Sequence, residues 1–130
     1  MVNDIKYTSA FLKNFKRYSK KYESFKNEMI GIETELYKNP KTGINIGNGL
    51  YKIRLAVASK GKGKSEGFRI ITYYYSEINN IEELTLVMVY DKSETDDVEV
   101  KELLRILKDN NMLKEEPTKK TLAVIKRVKK

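Results

Sequence analysis

Three strand-like segments follow one another in the middle of the chain, and they constrain its fold more than any other feature. In residues 50–57 apolar and polar side chains alternate, which places Lys52 and Arg54 together on the face opposite the apolar side chains. Residues 67–77 are rich in β-branched and aromatic side chains, and residues 84–92 are almost entirely apolar. The short connection before the last segment favours consecutive antiparallel strands.

Helical periodicity dominates the N-terminal part of the chain. A short strand is expected over residues 3–7, after which Thr8 or Ser9 would cap a helix. Ser24 would cap a second helix, which ends before the break at Pro40. Aromatic residues recur at steps of three and four, which predicts one core-facing stripe: Phe11, Phe15, Tyr18, Tyr22 and Phe25.

The order of these elements predicts the fold class. Residues 8–38 form either a helical hairpin or one long bent helix, and residues 45–49 are interpreted as a turn. After the third strand-like segment, a helix is predicted from about Val98, with Asp96 or Asp97 as its cap. The resulting order, β-α-α-β-β-β-α, predicts an α+β fold in which a small antiparallel sheet packs against the helical hairpin.

We expect one domain, because 130 residues suffice for a single modest core. The domain is placed at residues 1–113 and a basic C-terminal extension at residues 114–130. The extension could pair with the sheet, dock on it as a helix, or stay disordered. No apolar run is long enough to cross a membrane and no signal-peptide core is present, so a cytoplasmic protein without a membrane partner is expected.

The distribution of charge indicates the class of partner. The formal net charge is +8, and cations concentrate in residues 1–26, in residues 52–69 and in the last fourteen residues. Clustered cations gain affinity by releasing counterions from phosphates, which favours a polyanionic partner over the alternative of a merely soluble lysine-rich protein. The absence of cysteine and histidine excludes disulfides and thiolate chemistry and argues against a zinc site, so no metal and no other cofactor are expected.

The sequence SKGKGKSEG, at residues 59–67, has some features of a phosphate-binding loop. Gly-Lys-Ser at residues 63–65 matches the end of a Walker A motif, but Ala58 occupies the position of the required first glycine. The following residues are strand-like, so no helix N-terminus is available to a nucleotide. We interpret the segment as a hairpin loop from which three lysines project into solvent and contact RNA phosphates: Lys60, Lys62 and Lys64. The alternative is a solvated, mobile loop that binds no ligand.

A family resemblance is carried by GLYKIRLAVASKGKGKSEGFRIITYYY and LTLVMVYDKSETDDVEVKELLRIL. Leu-x-Lys-x-Arg leads into a Gly/Lys-rich turn, a strand with Gly-x-Arg near its start follows, and the next strand ends in Tyr-x-Lys-x-Glu. This pattern, within residues 49–94, resembles the RelE/HigB superfamily of bacterial toxins, in particular its HigB-like branch. In element order the resemblance covers residues 3–108, and the segment after Pro117 lies outside it. It implies a ribosome-dependent mRNA endonuclease that is neutralised by a cognate antitoxin, usually one with a helix-turn-helix domain.

Cleaving RNA without a metal requires activation of its 2′-hydroxyl, stabilisation of the phosphorane and help for the departing 5′-oxygen. In a chain without histidine, these tasks fall to Lys, Tyr and Arg. We assign Arg54 and Arg69 to bidentate binding of the scissile phosphate. Lys52 or Lys92 would be the general base or acid, and Tyr90 would donate a hydrogen bond or stack on a base. The turn leaves open whether Arg69 shares the face of Lys52 and Arg54.

Other interpretations of these residues are retained. Tyr73 is assigned to RNA binding by stacking on a base, and core packing is its alternative. A ParE-type toxin, which inhibits DNA gyrase, would share the fold, although Lys52, Arg54 and Arg69 together favour RNA cleavage. A regulatory module that binds nucleic acid without chemistry would show salt-dependent binding and no cleavage.

Overall fold

The computed structural model describes residues 2–60, 67–77 and 81–114. Lys62, Lys64 and all of the basic extension except Lys114 therefore lie outside the described residues. In chain order the elements are β1 (Asp4–Tyr7), α1 (Ser9–Lys21), α2 (Phe25–Lys38), β2 (Ile44–Gly47), β3 (Leu50–Leu55), β4 (Phe68–Ser76), β5 (Glu82–Asp91) and α3 (Val100–Asp109).

The strands form one five-stranded sheet in the order β1-β5-β4-β3-β2. β1 runs parallel to β5, and all other neighbours are antiparallel. The α+β class and the order of the predicted elements are confirmed. The sheet is mixed, so the prediction that it is antiparallel is wrong for β1, and it contains the additional strand β2. The interpretation of residues 45–49 as a turn is wrong for its first part, because Asn45 pairs with Tyr51 on β3. The tight turn lies at Asn48 and Gly49, both of which have positive φ.

The helical hairpin of α1 and α2 covers one face of the sheet. Thr8 caps α1 as predicted, since its Oγ1 accepts a hydrogen bond from the backbone N–H of Phe11 at 3.0 Å. Ser24 precedes α2, but its hydroxyl bonds the Glu28 carboxylate instead of a backbone N–H of the first turn. The aromatic stripe faces the core as predicted, with three rings buried and two partly buried: Phe11, Tyr18 and Phe25, then Phe15 and Tyr22.

The other face of the sheet is partly covered by α3, through the buried side chains of Leu103 and Leu107. α3 begins at Val100 with Glu99 as its N-cap residue, so the prediction of an aspartate cap is wrong. Asp97 instead lies in the irregular segment between β5 and α3. Within the described ranges, no helix is both long enough and apolar enough to span a membrane.

β5 carries a β-bulge where it pairs with β4. Thr72 pairs with Leu86, whereas the preceding Ile71 pairs with Met88, so Val87 is one extra residue on β5. If the ladder continued from the pair of Thr72 and Leu86 without a bulge, each β4 residue from Ile71 back to Phe68 would pair with the β5 residue one position earlier in the chain than its observed partner. Because side chains alternate between faces, this single residue decides which β5 side chains face α3.

Helix α1 and its cap support the bulged strand. The Thr8 hydroxyl donates a hydrogen bond to the carbonyl of Val87 at 2.6 Å, and the Asn14 amide donates to the carbonyl of Val89 at 2.9 Å. These side chains satisfy carbonyl groups close to the point where the regular ladder is interrupted. The hairpin therefore contributes to the register of the sheet as well as to its hydrophobic core.

Candidate functional site

Three of the predicted site residues form a row across three strands, which we call the arginine row. Arg54 on β3 is the direct cross-strand partner of Arg69 on β4, and Arg69 is the partner of Tyr90 on β5. Side chains of directly paired residues point to the same face, with Cβ atoms about 4.5–5.5 Å apart. The question of face left open by the sequence is answered: Arg69 shares the face of Arg54 and Lys52.

Arg69 is almost completely buried, with 5% of the residue exposed, whereas Arg54 beside it is exposed. One guanidinium nitrogen of Arg69 donates a hydrogen bond to the carbonyl of Phe68 at 3.2 Å. Like charges on directly opposed residues repel each other, and burial adds a desolvation cost to the inner cation. Two neighbouring guanidinium groups on one face of the sheet present parallel N–H donors that match phosphate oxygens, which makes this pair a candidate phosphate site.

Lys52, Tyr90 and Lys92 converge on a single carboxylate oxygen of Asp97. Oδ1 of Asp97 accepts hydrogen bonds from the Lys92 ammonium at 2.8 Å and from the Tyr90 hydroxyl at 3.2 Å. The Lys52 Nζ lies 3.3 Å from the same oxygen. We call these four residues the Asp97 cluster. Lys52 comes from β3 and Lys92 directly follows β5, so side chains from both sides of β4 reach one point.

The Asp97 cluster fixes the protonation states of two of its members. Burial, followed by the negative charge and hydrogen bond of Asp97, raises the pKa of Tyr90 to about 12. Tyr90 is therefore a hydrogen-bond donor at neutral pH. The hydrogen bond from Lys92 and the weaker contribution of Lys52 outweigh desolvation and lower the pKa of Asp97 to about 2. Asp97 is therefore a carboxylate throughout the physiological range.

Lys60 lies away from these groups, and the expectation that it projects into solvent is wrong. Its side chain is only 8% exposed and forms an ion pair with the buried carboxylate of Asp91. Its ammonium also donates to Ser93 Oγ at 3.0 Å and lies 5.2 Å from the centre of the Phe68 ring. A 3₁₀ turn after β3 brings Lys60 to this position, where it supplies the counterion that a buried carboxylate requires.

Tyr73 does not offer its ring to an RNA base in this structure. It is 7% exposed and packs in the cluster of buried side chains beneath α3, together with Leu50 and Leu107. Its hydroxyl accepts a hydrogen bond from the backbone N–H of Lys114 at 3.2 Å. Core packing, the alternative retained from the sequence, is the observed environment of this residue.

Asp97 is the site residue that sequence reasoning missed. The acidic run Glu-Thr-Asp-Asp predicted a helix cap, because aspartate is a preferred cap residue. The signal that could have identified it was the position of an acidic run directly after two predicted site residues, Tyr90 and Lys92. Glu94, from the same run, instead forms an ion pair with Arg17 on α1 at 3.2 Å.

Two further features of the described ranges bear on ligand binding. No group of three or more acidic side chains there is arranged to hold a metal ion. A second basic surface lies on α1, as a shallow depression lined by Lys13, Lys16, Arg17, Lys20 and Lys21. α1 packs on the face of the sheet that the helical hairpin covers, whereas the arginine row lies on the face that α3 partly covers. The sheet therefore separates this basic surface from the arginine row.

A protein-family model described as the RelE toxin of the RelE/RelB toxin–antitoxin system matches residues 11–129. The chain belongs to the RelE toxin family. The superfamily indicated by the resemblance is thereby confirmed, while the HigB-like branch stays a prediction. The match includes the arginine row, the Asp97 cluster and most of the C-terminal extension, which the resemblance had left outside. This RelE-family protein is a toxin of a toxin–antitoxin system, and toxins of its family are generally endoribonucleases.

Proposed function

We propose that this RelE-family toxin cleaves messenger RNA on the ribosome, by attack of an RNA 2′-hydroxyl on the adjacent phosphate. The observation that carries the proposal is the arginine row with the Asp97 cluster beside it on one face of the sheet. Together they supply two guanidinium groups, two lysine amino groups and a protonated phenol. Such groups can bind a phosphate and transfer protons without a metal ion.

In this mechanism Arg54 and Arg69 bind the scissile phosphate. A guanidinium group presents parallel N–H donors that match two phosphate oxygens, and its charge persists at every physiological pH. The phosphorane formed by attack carries one more negative charge than the phosphate. The two arginines therefore stabilise the transition state more than the ground state, which is the requirement for acceleration. The burial of Arg69 supports a strong effect, because electrostatic interactions are stronger where water is excluded.

Lys52 and Lys92 divide the two proton transfers. In the reactive form one of the two lysines is a neutral amine. This amine takes the proton of the 2′-hydroxyl as that oxygen bonds to phosphorus, and the bond from phosphorus to the 5′-oxygen breaks. The departing 5′-oxygen takes a proton from the other lysine, which leaves a 2′,3′-cyclic phosphate and a 5′-hydroxyl. Both ammonium groups reach one oxygen atom of Asp97, which supports their placement around one phosphate. Tyr90 donates a hydrogen bond to a phosphate oxygen.

We also propose that a cognate antitoxin with a helix-turn-helix domain neutralises the toxin. The matching family is described by its pairing with RelB, which supports a protein partner. The reading frame beside the toxin gene is expected to encode this partner. Coexpression of that frame should yield a stable complex and restore growth to cells that produce the toxin. An adjacent frame that neither binds the toxin nor restores growth would contradict this part of the proposal.

Single-turnover cleavage of mRNA on translating ribosomes tests the catalytic proposal. Arg54→Ala removes an exposed side chain, so the fold should persist while cleavage slows by about 10²–10³-fold. Lys38→Ala removes the same charge from an exposed position at the end of α2 and is the matched control, with cleavage expected within about threefold of wild type. A message with a 2′-deoxynucleotide at the cleaved position should remain intact, because the nucleophile is missing.

The cleavage assay, together with a DNA supercoiling assay and an RNA-binding assay, separates the alternatives. Equal rates for Arg54→Ala and Lys38→Ala would refute the role of the arginine row. Intact mRNA together with inhibited DNA supercoiling would favour a gyrase-directed toxin. Steeply salt-dependent RNA binding without any fragments would favour a regulatory module.

A further inference from the structure

The position of Asp97 has a consequence for substrate binding. Its side chain is 55% exposed, so hydrophobic packing does not hold it in place. It lies in an irregular segment, after Glu94 and Thr95, whose backbone N–H groups are bonded to the carbonyl of Asp91. What holds the carboxylate is its contact with Lys52, Tyr90 and Lys92 at a single oxygen. The proposed function uses all three of these groups at the cleaved linkage, the two lysines for proton transfer and Tyr90 as a hydrogen-bond donor to a phosphate oxygen.

We propose that Asp97 is an internal competitor of the substrate: its carboxylate occupies the place of a phosphate oxygen and must be displaced when RNA binds. The proposal rests on the proposed function, since it concerns the same site. It adds the anion position, marked by Asp97 Oδ1, and a residue that sets the affinity of the site for RNA.

Competition follows from the geometry of the contacts. A phosphate oxygen that accepted hydrogen bonds from the same three donors would have to lie within about 3 Å of each, where Asp97 Oδ1 now lies. Two anions cannot share that position, because their repulsion adds to the steric conflict. Exposed ion pairs contribute little free energy, so the carboxylate can be displaced at modest cost. Because Asp97 stays ionised at physiological pH, its displacement does not depend on protonation.

Binding of an uncleavable RNA tests this proposal separately from catalysis. The probe is a short single-stranded RNA with 2′-O-methyl groups throughout, and its dissociation constant is measured by fluorescence anisotropy at several salt concentrations. Asp97→Asn keeps the shape of the side chain and removes its charge. Asp96→Asn makes the same charge change at the adjacent exposed residue and is the matched control. Asp97→Asn should tighten binding by roughly tenfold, and Asp96→Asn by less than about threefold.

Three results of the binding measurement would overturn the proposal. If both variants bind alike, if neither binds the RNA, or if Asp97→Asn binds more weakly than wild type, Asp97 does not compete with the substrate. Weaker binding would show that Asp97 instead braces the lysines. Combining Asp97→Asn with Lys52→Met provides a further check, since the gain should shrink when one of the released cations is removed.

Failure of the proposed function gives a different pattern. In that case wild-type toxin leaves the ribosome-bound message intact, yet Asp97→Asn still binds the methylated RNA more tightly than Asp96→Asn. Thermal unfolding of the three proteins completes the comparison. If Asp97 competes with the substrate, wild type, Asp97→Asn and Asp96→Asn should have similar thermal unfolding midpoints, because the exposed side chain of Asp97 contributes little to the free energy of unfolding.

Discussion

Tyr90 lies directly opposite Arg69 because β5 carries one more residue than β4 between this pair and the pair of Thr72 with Leu86. Without the extra residue, a continuous ladder from the Thr72 pair would place Val89 opposite Arg69. The phenol would then leave the face that carries the arginines. The bulge is therefore a condition for the arginine row, in keeping with the frequent use of bulges to redirect side chains at functional sites.

The first prediction concerns the support of this bulge by Thr8. Thr8→Val should lower the free energy of unfolding by about 2–4 kcal/mol, because it removes a helix cap and leaves the Val87 carbonyl without its buried donor. Chemical denaturation provides the measurement. Thr34→Val removes an exposed hydroxyl that bonds within α2 and should change stability by less than about 0.5 kcal/mol. Equal effects of the two substitutions would contradict the role of Thr8 in the register.

The second prediction concerns the geometry of Arg69. Arg69→Lys keeps the positive charge but loses the two-pronged donor, so single-turnover cleavage should fall at least about tenfold. Arg69→Ala should cost about 10²–10³-fold on the same ribosome assay. Circular dichroism spectra of both variants are the control that each one remains folded. A lysine variant with wild-type activity would show that charge alone, and not bidentate binding, is required.

The third prediction concerns the protonation state of Tyr90. Because burial and Asp97 raise its pKa to about 12, the phenol donates a hydrogen bond and does not act as the base near neutral pH. Tyr90→Phe should slow cleavage by about 10–100-fold, with the same ratio to wild type at every pH from about 6 to 9. Single-turnover rates across that range provide the measurement. A ratio that grows tenfold with each pH unit would instead identify ionised Tyr90 as the reactive species.

The fourth prediction concerns the structural role of Lys60. Lys60→Met leaves the buried Asp91 carboxylate without its ammonium partner and should destabilise the protein by about 3–5 kcal/mol at pH 7. Lys20→Met, at an exposed position on α1, should change stability by less than about 0.5 kcal/mol. If Lys60→Met unfolds at the same denaturant concentration as Lys20→Met, the buried ion pair does not stabilise the fold.

The pH dependence of that loss follows from Asp91. Burial alone would raise its pKa, but hydrogen bonds from Lys60 and Ser93 outweigh burial and hold the pKa below its ordinary value. A depressed pKa contributes stability above the unfolded-state value of about 4, and this contribution is lost as pH falls through the folded value. The difference between wild type and Lys60→Met should therefore narrow as the pH is lowered from 7 toward 3. A constant difference would show that Asp91 is not the partner affected.

Local periodicity explains which parts of the fold the sequence predicted. The aromatic stripe, which runs from α1 to the start of α2, and the alternation of β3 each arise from residues a few positions apart, so they can be recognised without knowing the partner elements. β2 was missed because Ile44–Gly47 is short and contains a glycine. Its pairing with β3 stabilises it in a way that its own sequence does not reveal. The cap of α3 was misassigned because Asp96, Asp97 and Glu99 all lie within four residues before the helix.

The sequence by itself determined every element except β2, the order of these elements, the core-facing aromatic stripe, the apolar face of β3 and the presence of cations on β3 and β4. The tertiary structure decided that Arg54, Arg69 and Tyr90 form one row, that Asp97 lies among Lys52, Tyr90 and Lys92, and that Lys60 is buried. The physical reason is the range of the interactions. Strand register depends on a bulge whose carbonyl is bonded by a hydroxyl 79 residues away, and ion pairs form between side chains that only the folded sheet brings together.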